Sequence, residues 1–390
     1  MLLLALAGKP NCGKSTFFKS LTLANVEIAN YPFTTVEANK GVAYVRSLCP
    51  CKELDLKNCN SCVDGIRFIP VELLDVAGLV PGAHLGRGLG NQFLDSLREA
   101  DGIIQVVDAS GSTDPEGNPV NINTRDPCED VEFLSQEFTM WMTEIINKHL
   151  AKIIRQAQGK ETTIIELMGN ALAGLRINIT QIHEAIAETG IRLNKASSED
   201  IKKMCKVLLR ASKPMVIAAN KADQAPDINI ARLKKIGAIP TIAAGELALK
   251  SAVQTKILHY LPGDETFMLN DGVKLSIKQR KALTIIDKNM KKFGSTGVQS
   301  ALEKLVFEKI GMIVVFPVED ENKYCNSKGI ILPDAFLMPK GSTPKDLAHC
   351  IHTDLSKGFL YAIDARTKMR IKESTILKSG DVIRIVSTAK

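Results

Sequence analysis

Long apolar runs are missing from this 390-residue sequence, and no stretch approaches the ~18 residues that a membrane-spanning helix needs. The leucine-rich segment Met1–Leu6 has no basic region before it and no cleavage site after it, so it does not match a secretory signal. These absences predict a cytoplasmic protein without a membrane partner. Its nine cysteines are then expected to be thiols rather than disulfides.

The composition is that of an ordinary soluble globular protein, with 45% hydrophobic and 24% charged residues, and the length predicts two or three domains. The net charge of +7 is uneven: residues 1–249 carry 27 Lys and Arg against 28 Asp and Glu, whereas residues 250–390 carry 23 against 15. The basic C-terminal third predicts a polyanionic partner such as RNA. A solvated lysine-rich face is the alternative, and no DNA specificity is evident.

A complete phosphate-binding loop, G-x-x-x-x-G-K-S, occupies residues 8–15. The apolar run Leu2–Ala7 precedes it and the amphipathic stretch Ser15–Leu23 follows, which disfavours an ordinary glycine-rich turn. Lys14 is expected to bind the β- and γ-phosphates, and the Ser15 hydroxyl to bind Mg²⁺. The predicted nucleotide contacts in this segment are Lys9, Pro10, Asn11, Cys12, Gly13, Lys14, Ser15 and Thr16.

A D-x-x-G pattern follows the apolar run 68–74, which we interpret as a strand. The Asp75 carboxylate is expected near Mg²⁺, and the N–H of Gly78 is expected to reach the γ-phosphate. Four residues of this kind are a weak signal by themselves, but their position at a strand end after a phosphate loop makes the interpretation specific.

An N-K-x-D pattern follows a second apolar run, residues 215–219. Asp223 is expected to accept two hydrogen bonds from guanine, while the Lys221 stem covers the base and Asn220 fixes the loop. Adenine would leave this carboxylate unpaired, so such a contact discriminates well. The three patterns together predict a guanine-nucleotide site.

Periodicity divides the chain into four predicted parts. Short apolar runs alternate with turns over the first 110 residues, and from Glu129 to Leu209 apolar residues recur at helical spacing without any proline. We expect an α/β P-loop NTPase G domain with a mostly parallel sheet, formed by residues 1–125 and 211–265 and interrupted by a helical insertion at 126–210. A basic helical segment, 266–310, and a small mixed β/α module, 311–390, follow.

The segments Gly8–Thr16, Asn30–Thr35 and Asp75–Ala83 resemble the motifs of the Obg/YchF superfamily of translation-factor GTPases. The resemblance covers essentially the whole chain and is strongest to the archaeal YchF-related branch. It implies that the C-terminal module is a TGS domain with a β-grasp fold, and that the ribosome or RNA is a partner. In the bacterial and eukaryotic YchF branch the base-recognition motif ends in Glu and ATP is preferred. Because Asp223 is retained here, we expect GTP and GDP.

The resemblance also implies roles for the switch segments. Thr35 is the expected switch I threonine that coordinates Mg²⁺, with Thr34 as the alternative, and switch II is expected at Gly78–Asn91. Leu79 stands where Ras-like proteins have the glutamine that orients water, so slow intrinsic hydrolysis is expected.

Asn11 carries a hypothesis about a second cation. In related GTPases an asparagine at this position helps to bind K⁺ beside the β–γ bridge, which takes over part of the role of an arginine finger. A turn-forming residue is the alternative interpretation. The predicted catalytic residues are Lys14, Thr35, Gly78 and Asn11, and the predicted Mg²⁺ ligands are Ser15, Thr35 and Asp75.

The base-recognition loop is normally completed by a Ser-Ala-Lys-like turn whose backbone N–H contacts the guanine oxygen. The candidate here is Ile242-Ala243-Ala244, which lacks the serine. Since a backbone group makes this contact, Ala243 is expected to provide it.

Four cysteines, Cys49, Cys51, Cys59 and Cys62, form a C-x-C-x₇-C-x₂-C pattern between two predicted strands. Two closely spaced pairs of this kind could close a tetrahedral thiolate site for Zn²⁺. The spacing is not that of a standard zinc finger, so free thiols and a redox pair remain open.

Three functions are consistent with these observations. The first is a GTP-hydrolysing switch that binds the ribosome or RNA in one nucleotide state. The second is a YchF-like enzyme that prefers ATP. The third is an RNA-binding scaffold in which the nucleotide is a structural ligand.

Overall fold

The computed structural model describes residues 1–23, 39–76, 78, 82, 97–158 and 160–388. Thr34, Thr35 and Leu79 lie outside the described residues, so their predicted roles stay predictions. The architecture is α/β, as the sequence predicts, with a mostly parallel sheet and a second, smaller sheet. No helix within the described ranges is long and apolar enough to span a membrane.

The first sheet has six strands among the described residues, in the order β2-β3-β1-β4-β5-β6. They are β1 Leu3–Ala7, β2 Lys40–Leu48, β3 Ile66–Asp75, β4 Gly102–Asp108, β5 Met215–Asn220 and β6 Ile239–Pro240. Neighbouring strands are parallel except β2 and β3, which form an antiparallel hairpin. Every residue of β1 and β4 is buried, as in a parallel sheet that is covered on both faces.

The parallel strands β3, β1, β4 and β5, which are neighbours in that order, determine where the motifs meet. The phosphate loop follows β1, Asp75 ends β3 and Asn220 ends β5, so all three lie at the same edge of the sheet. Helix α1, Lys14–Thr22, begins directly after the phosphate loop. Helix α2, Pro50–Glu53, is a single turn at the opposite end of the β2–β3 hairpin.

The insertion between β4 and β5 is helical. Its described helices are α3 Pro127–Gln156, α4 Glu161–Leu172, α5 Ile179–Thr189 and α6 Ser198–Ser212, with 3₁₀ turns at Ala173–Leu175 and Leu193–Lys195. The Asp126 side chain caps α3 by accepting a hydrogen bond from the Cys128 N–H at 3.0 Å, and Pro127 occupies the first turn. Helix α6 ends at Ser212, two residues beyond the predicted boundary at 210.

The insertion shares a hydrophobic core with the sheet. Phe138 and Trp141 of α3 stack at 5.4 Å between ring centroids. They belong to one buried cluster with Ala5 of β1 and Ile103 of β4. Because this packing fixes α3 against the sheet, the first turn of α3 has a defined position beside the phosphate loop.

The chain after β5 completes the sheet and its flanking helices. These elements are α7 Asp227–Lys235, α8 Ala243–Gln254, and a short antiparallel pair, β7 Leu258–His259 and β8 Met268–Leu269. Glu246 of α8 accepts hydrogen bonds from the hydroxyls of Tyr260 and Thr296, both at 2.6 Å and both buried. This network ties α8 to the following segment.

The basic segment forms two helices. Helix α9, Ile277–Phe293, begins at a capping box formed by Ser276 and Gln279. Helix α10, Val298–Glu303, follows and continues as a π-helical segment, Lys304–Lys309. Helix α9 ends at its C-cap, Gly294, whose φ of 89° is left-handed, and Gly297 then packs on the Pro240 carbonyl, where a Cβ would overlap it.

The C-terminal module is a five-stranded sheet in the order β10-β9-β13-β11-β12. Its elements are β9 Met312–Val318, β10 Phe336–Pro339, α11 Pro344–Ile351, α12 Thr353–Lys357, β11 Phe359–Asp364, β12 Met369–Ile371 and β13 Val382–Ser387. Strands β9 and β13 are parallel, and Leu347 of α11 packs with Val315 and Ile383 of the sheet. The sequence did not predict β10 and β12, which have only four and three residues.

Candidate nucleotide site

The phosphate loop contains two glycines at positions that tolerate no side chain. Gly13 is the N-cap of α1 with φ 92°, in the left-handed region. A Cβ on Gly13 would overlap the Asn220 side chain, and a Cβ on Gly8 would overlap the Val106 carbonyl. The first N–H groups of α1 have no partner within the helix, so this end suits an anion such as phosphate.

Lys14, Ser15 and Asp75 form the centre of the site. Asp75 pairs in register with Leu6 of β1, which places its carboxylate next to the first turn of α1. The Lys14 ammonium forms an ion pair with Asp75 Oδ1, and the Ser15 hydroxyl donates to Asp75 Oδ2 at 3.4 Å. A hydroxyl and a carboxylate this close are the oxygen ligands that Mg²⁺ prefers, so both side chains fit the predicted metal site.

Gly78, the D-x-x-G glycine, lies beside the phosphate loop. A Cβ on Gly78 would be 2.8 Å from Pro10 Cγ. The Gly82 N–H donates to Glu137 Oε1 at 3.0 Å, which links this segment to α3 of the insertion. Of the predicted switch II, these two glycines are the described residues.

Asn220 connects three parts of the site. Its Nδ2 donates to the Cys12 carbonyl of the phosphate loop at 3.1 Å. Its Oδ1 accepts from the Ala243 N–H, the first residue of α8, at 3.2 Å. We call this arrangement the Asn220 clamp. It fixes the base-recognition loop relative to the phosphate loop.

The groups that would recognise the base lie next to this clamp. Asp223 is exposed, and its carboxylate accepts no hydrogen bond and forms no ion pair with the described residues. The Ala243 N–H is already bonded to Asn220, so it is not available to a ligand. The next N–H, of exposed Ala244, has no partner within the described part of the chain. The guanine contact predicted for Ala243 stays a prediction, and it would require the Ala243 N–H to leave Asn220.

Asp108, which the sequence analysis did not identify, organises the floor of the base site. It ends β4, is fully buried, and forms an ion pair with Lys221 at 2.9 Å. It also accepts hydrogen bonds from the hydroxyls of Ser110, Ser112 and Thr113 at 2.5, 3.0 and 3.0 Å. Burial alone would raise the pKa of Asp108, but the hydroxyls of Ser110 and Thr113 and the Lys221 ammonium outweigh burial and lower the pKa. The carboxylate stays charged and orients the Lys221 stem.

Lys9 and Asn11 hold a surface loop over the phosphate loop. The Lys9 ammonium is 2.6 Å from Asp130 of α3 and donates to the Thr113 carbonyl at 2.8 Å, and Lys9 is 5% exposed. Asn11 Nδ2 donates to the Gly117 carbonyl at 3.0 Å. The Lys9 ammonium and the Asn11 amide nitrogen are therefore both engaged within the protein, whereas Asn11 Oδ1 accepts no hydrogen bond from the described residues.

Cys12 and Thr16 complete the predicted contacts. Cys12 is buried, and burial raises the pKa of its thiol to about 11, so it remains neutral and contributes its backbone. Thr16 is half-buried in the first turn of α1, next to Ser15.

The four clustered cysteines do converge, at a place remote from the nucleotide site. Their Sγ atoms all lie within 4.8 Å of one another. The cysteines lie in the connection between β2 and β3, which contains α2. Asp75 lies at the opposite end of this hairpin.

Comparisons with known proteins match three parts of the chain to family models. Residues 3–131 match a 50S ribosome-binding GTPase, and residues 218–320 match the Obg-like GTPase YGR210-like, G4 motif-containing domain. Residues 328–387 match a TGS domain, which covers β10 to β13. The matched ranges thus include the phosphate loop, the Asn220–Asp223 tetrad and the second sheet.

Relatives and solved structures extend over the full length. The GTP-binding protein MJ1332 of Methanocaldococcus jannaschii is 50% identical over all of both chains. The ribosome-binding ATPase YchF of Mycoplasma pneumoniae is 28% identical over 92% of this chain and 88% of its own. The crystal structure of a GTP binding protein from Pyrococcus horikoshii OT3 is 39% identical, covers all of both chains and has a TM-score of 0.76.

These similarities agree with the geometry of the site. The relatives that span the chain share its phosphate-loop domain and its C-terminal sheet, and the half-identical relative is a GTP-binding protein. The chain belongs to the YchF-related GTPases of the Obg family, with a G domain and a C-terminal TGS domain.

Proposed function

We propose that this GTPase is a Mg²⁺-dependent molecular switch that hydrolyses GTP slowly and associates with the ribosome in the cytoplasm. The observation that carries the proposal is the Asn220 clamp, because it holds both halves of a nucleotide site in one arrangement. The unpartnered Asp223 carboxylate supports guanine as the base, and the Lys14–Asp75–Ser15 arrangement supports a triphosphate with Mg²⁺.

The residues of the site define how the γ-phosphate would be sensed. Ser15, Asp75 and Thr35 would hold Mg²⁺, which supplies positive charge beside the β- and γ-phosphates. Lys14 exchanges its ion pair with Asp75 for the phosphates. The Gly78 N–H donates to the γ-phosphate, so loss of that phosphate releases the segment that begins there.

Slow hydrolysis is expected from the residue that follows Gly78 in the sequence. Leu79 has no polar group to orient the attacking water. Asn11 contributes a free Oδ1, since its amide nitrogen is bonded to Gly117 and no hydrogen bond from the described residues reaches the oxygen. We propose that this oxygen is a ligand for K⁺, which would offset part of the charge that develops at the β–γ bridge.

Hydrolysis is therefore expected to be at least about tenfold faster in KCl than in NaCl at equal ionic strength, a modest share of the 10³–10⁵ that an arginine finger contributes. Steady-state phosphate release in the two salts measures the effect. Asn11→Gly should abolish the preference for K⁺, because glycine tolerates the φ of 59° at this position but offers no side-chain oxygen. Equal rates in KCl and NaCl for the unchanged protein would refute the role of K⁺.

A ribosome partner is proposed from charge and from the relatives. The YchF protein of Mycoplasma pneumoniae is named a ribosome-binding ATPase. In this chain, α9 presents the exposed cations Lys278, Arg280, Lys281 and Lys288, which form no ion pair within the described residues. We propose that segment 266–310 and module 311–390 together form the RNA-binding part, while residues 1–125 and 211–265 hold the nucleotide.

Replacing the four exposed cations of α9 by Glu is expected to abolish salt-sensitive co-sedimentation with ribosomes. Its matched control reverses four exposed lysines of the insertion region, Lys152, Lys160, Lys195 and Lys206. Multiple-turnover kinetics with and without ribosomes completes the test, since we expect ribosomes to stimulate hydrolysis by the control variant only. Equal loss of binding in both variants would point to a non-specific effect of net charge and contradict the proposed surface.

Two alternatives have specific support. The name of the Mycoplasma relative, a ribosome-binding ATPase, favours ATP as the substrate. Competition between GTP and ATP for binding distinguishes a GTPase from an ATPase. Leu79 favours a scaffold in which the nucleotide is a structural ligand. Absence of turnover both with and without ribosomes would support the scaffold over the switch.

A further inference from the structure

The four-cysteine cluster has the dimensions of a metal site. Cys49 and Cys59 are 3.9 Å apart between Sγ atoms, Cys51 and Cys62 are 3.5 Å apart, and Cys59 and Cys62 are 3.8 Å apart. Four sulfurs bound to one tetrahedral Zn²⁺ at about 2.3 Å are separated by about 3.8 Å from one another. A disulfide has its sulfurs about 2.0 Å apart, so none of these pairs is bonded.

The segment that carries these cysteines has little regular structure of its own. Between β2 and β3 it contains only the four-residue helix α2, and Asp55, Asn58 and Asp64 have positive φ. One helical turn is unstable in isolation, so α2 alone does not fix the conformation of this segment. Something besides secondary structure must hold the four thiols together, and bound metal provides folding free energy in such segments.

The same segment contacts the C-terminal module. Ser61 Oγ donates to the Ile331 carbonyl at 2.9 Å, and Glu53 forms an ion pair with Arg366. Cys49 and Cys51 are buried in one cluster that includes residues of the module, among them Leu332, Ala335, Ala365 and Val382. The position of the module therefore depends on the conformation of the cysteine segment.

A buried cation also lies on this contact. Arg67 Nη2 donates to the Pro333 carbonyl at 2.6 Å, and its Nη1 is buried without a hydrogen-bond partner among the described residues. Arg67 lies two residues after Gly65 in the sequence. The Gly65 carbonyl accepts a hydrogen bond from the Cys49 N–H at 2.9 Å. The guanidinium thus links the start of β3, next to the cysteine segment, to the C-terminal module.

We propose that Cys49, Cys51, Cys59 and Cys62 bind a structural Zn²⁺ that holds the end of the β2–β3 hairpin against the C-terminal module. Coordination displaces one proton from each thiol, and no sulfur is oxidised. The proposed metal site is remote from the nucleotide site, because the two lie at opposite ends of the β2–β3 hairpin. The cysteine segment follows the Leu48–Ile66 pair at one end. Asp75 lies beside the Lys40–Leu74 pair at the other end. Eight residues of strand separate these ends, which is about 26 Å.

Metal content is the first test. The untagged full-length protein, purified under reducing conditions without added metal, is analysed for zinc and iron by mass spectrometry. We expect one zinc per chain, released when a mercurial reagent titrates the thiols, and replacement by Co²⁺ should give the absorption of a tetrahedral tetrathiolate site. Protein without metal, protein with iron in place of zinc, or a disulfide among these four cysteines would overturn the proposal.

The second test addresses the contact with the module. Cys59→Ser and Cys62→Ser should lose zinc and show faster amide exchange at residues 328–335, whereas Cys350→Ser, an exposed cysteine of α11, should retain both zinc and protection. GTP binding and exchange in α3 should be unchanged. Where the variants fail to fold, chelation of the unchanged protein provides the same measurements. Loss of zinc with unchanged exchange at 328–335 would refute the structural role.

Discussion

Replacing Asp223 by asparagine is expected to lower the affinity for GTP about 10²–10⁴-fold, because two hydrogen bonds to a charged acceptor contribute about 1.5–3 kcal/mol each. In the proposed site this carboxylate accepts both the N1–H and the 2-amino group of guanine. The asparagine side chain can accept a hydrogen bond from only one of these two guanine donors. Its NH₂ group then faces the other guanine donor without forming a hydrogen bond. Xanthosine triphosphate, which has a carbonyl in place of the 2-amino group, should bind the variant more tightly than it binds the unchanged protein.

Asp227→Asn is the matched control for this prediction. Asp227 is an exposed carboxylate four residues further along the chain, at the start of α7, and it is paired with Lys292 at 2.7 Å. This variant should bind GTP and xanthosine triphosphate as the unchanged protein does. Calorimetry with GTP, ATP and xanthosine triphosphate on all three proteins decides the matter. If the unchanged protein binds ATP as tightly as GTP, or if Asp223→Asn loses GTP without gaining xanthosine triphosphate, Asp223 does not select the base.

The motifs of this site could be predicted because each is local and follows a short apolar run. The phosphate loop follows a strand, and Asp75 and Asn220 are the last residues of strands, so the parallel sheet brings them together without further information. Asp108 gave no such signal, since a serine- and glycine-rich segment after a strand is typical of any turn. Lys221, which completes its network, lies 113 residues later in the chain.

Tertiary packing explains the partners that the structure gives to two motif residues. Lys9 belongs to the phosphate loop by sequence, yet its ammonium pairs with Asp130 because the core shared by α3 and the sheet places that helix over the loop. Ala243 fits the base-recognition turn by position, yet Asn220 takes its N–H. In both cases a residue distant in the chain competes for a group that the motif alone leaves free.

Asp75 and Lys14 provide the last prediction, because their ion pair must separate when a phosphate binds Lys14. Asp75→Ala should lower the rate of GTP hydrolysis about 10²–10³-fold, the usual effect of removing one electrostatic contact to the transition state. Without Mg²⁺, however, the same variant should bind GTP about fivefold more tightly, since Lys14 no longer gives up a partly exposed ion pair that is worth about 1 kcal/mol. Lys14→Ala should lose both hydrolysis and affinity.

The opposite signs of the two affinity changes make this pair of variants informative. A merely destabilised site would bind GTP more weakly in both, so a gain in Asp75→Ala measured in EDTA cannot come from unfolding. Lys19→Ala, which removes an exposed lysine from the same helix, α1, controls for the loss of positive charge and should leave both quantities unchanged. If Asp75→Ala weakens GTP binding in EDTA as much as Lys14→Ala does, the carboxylate acts in holding the loop rather than in competing with phosphate for Lys14.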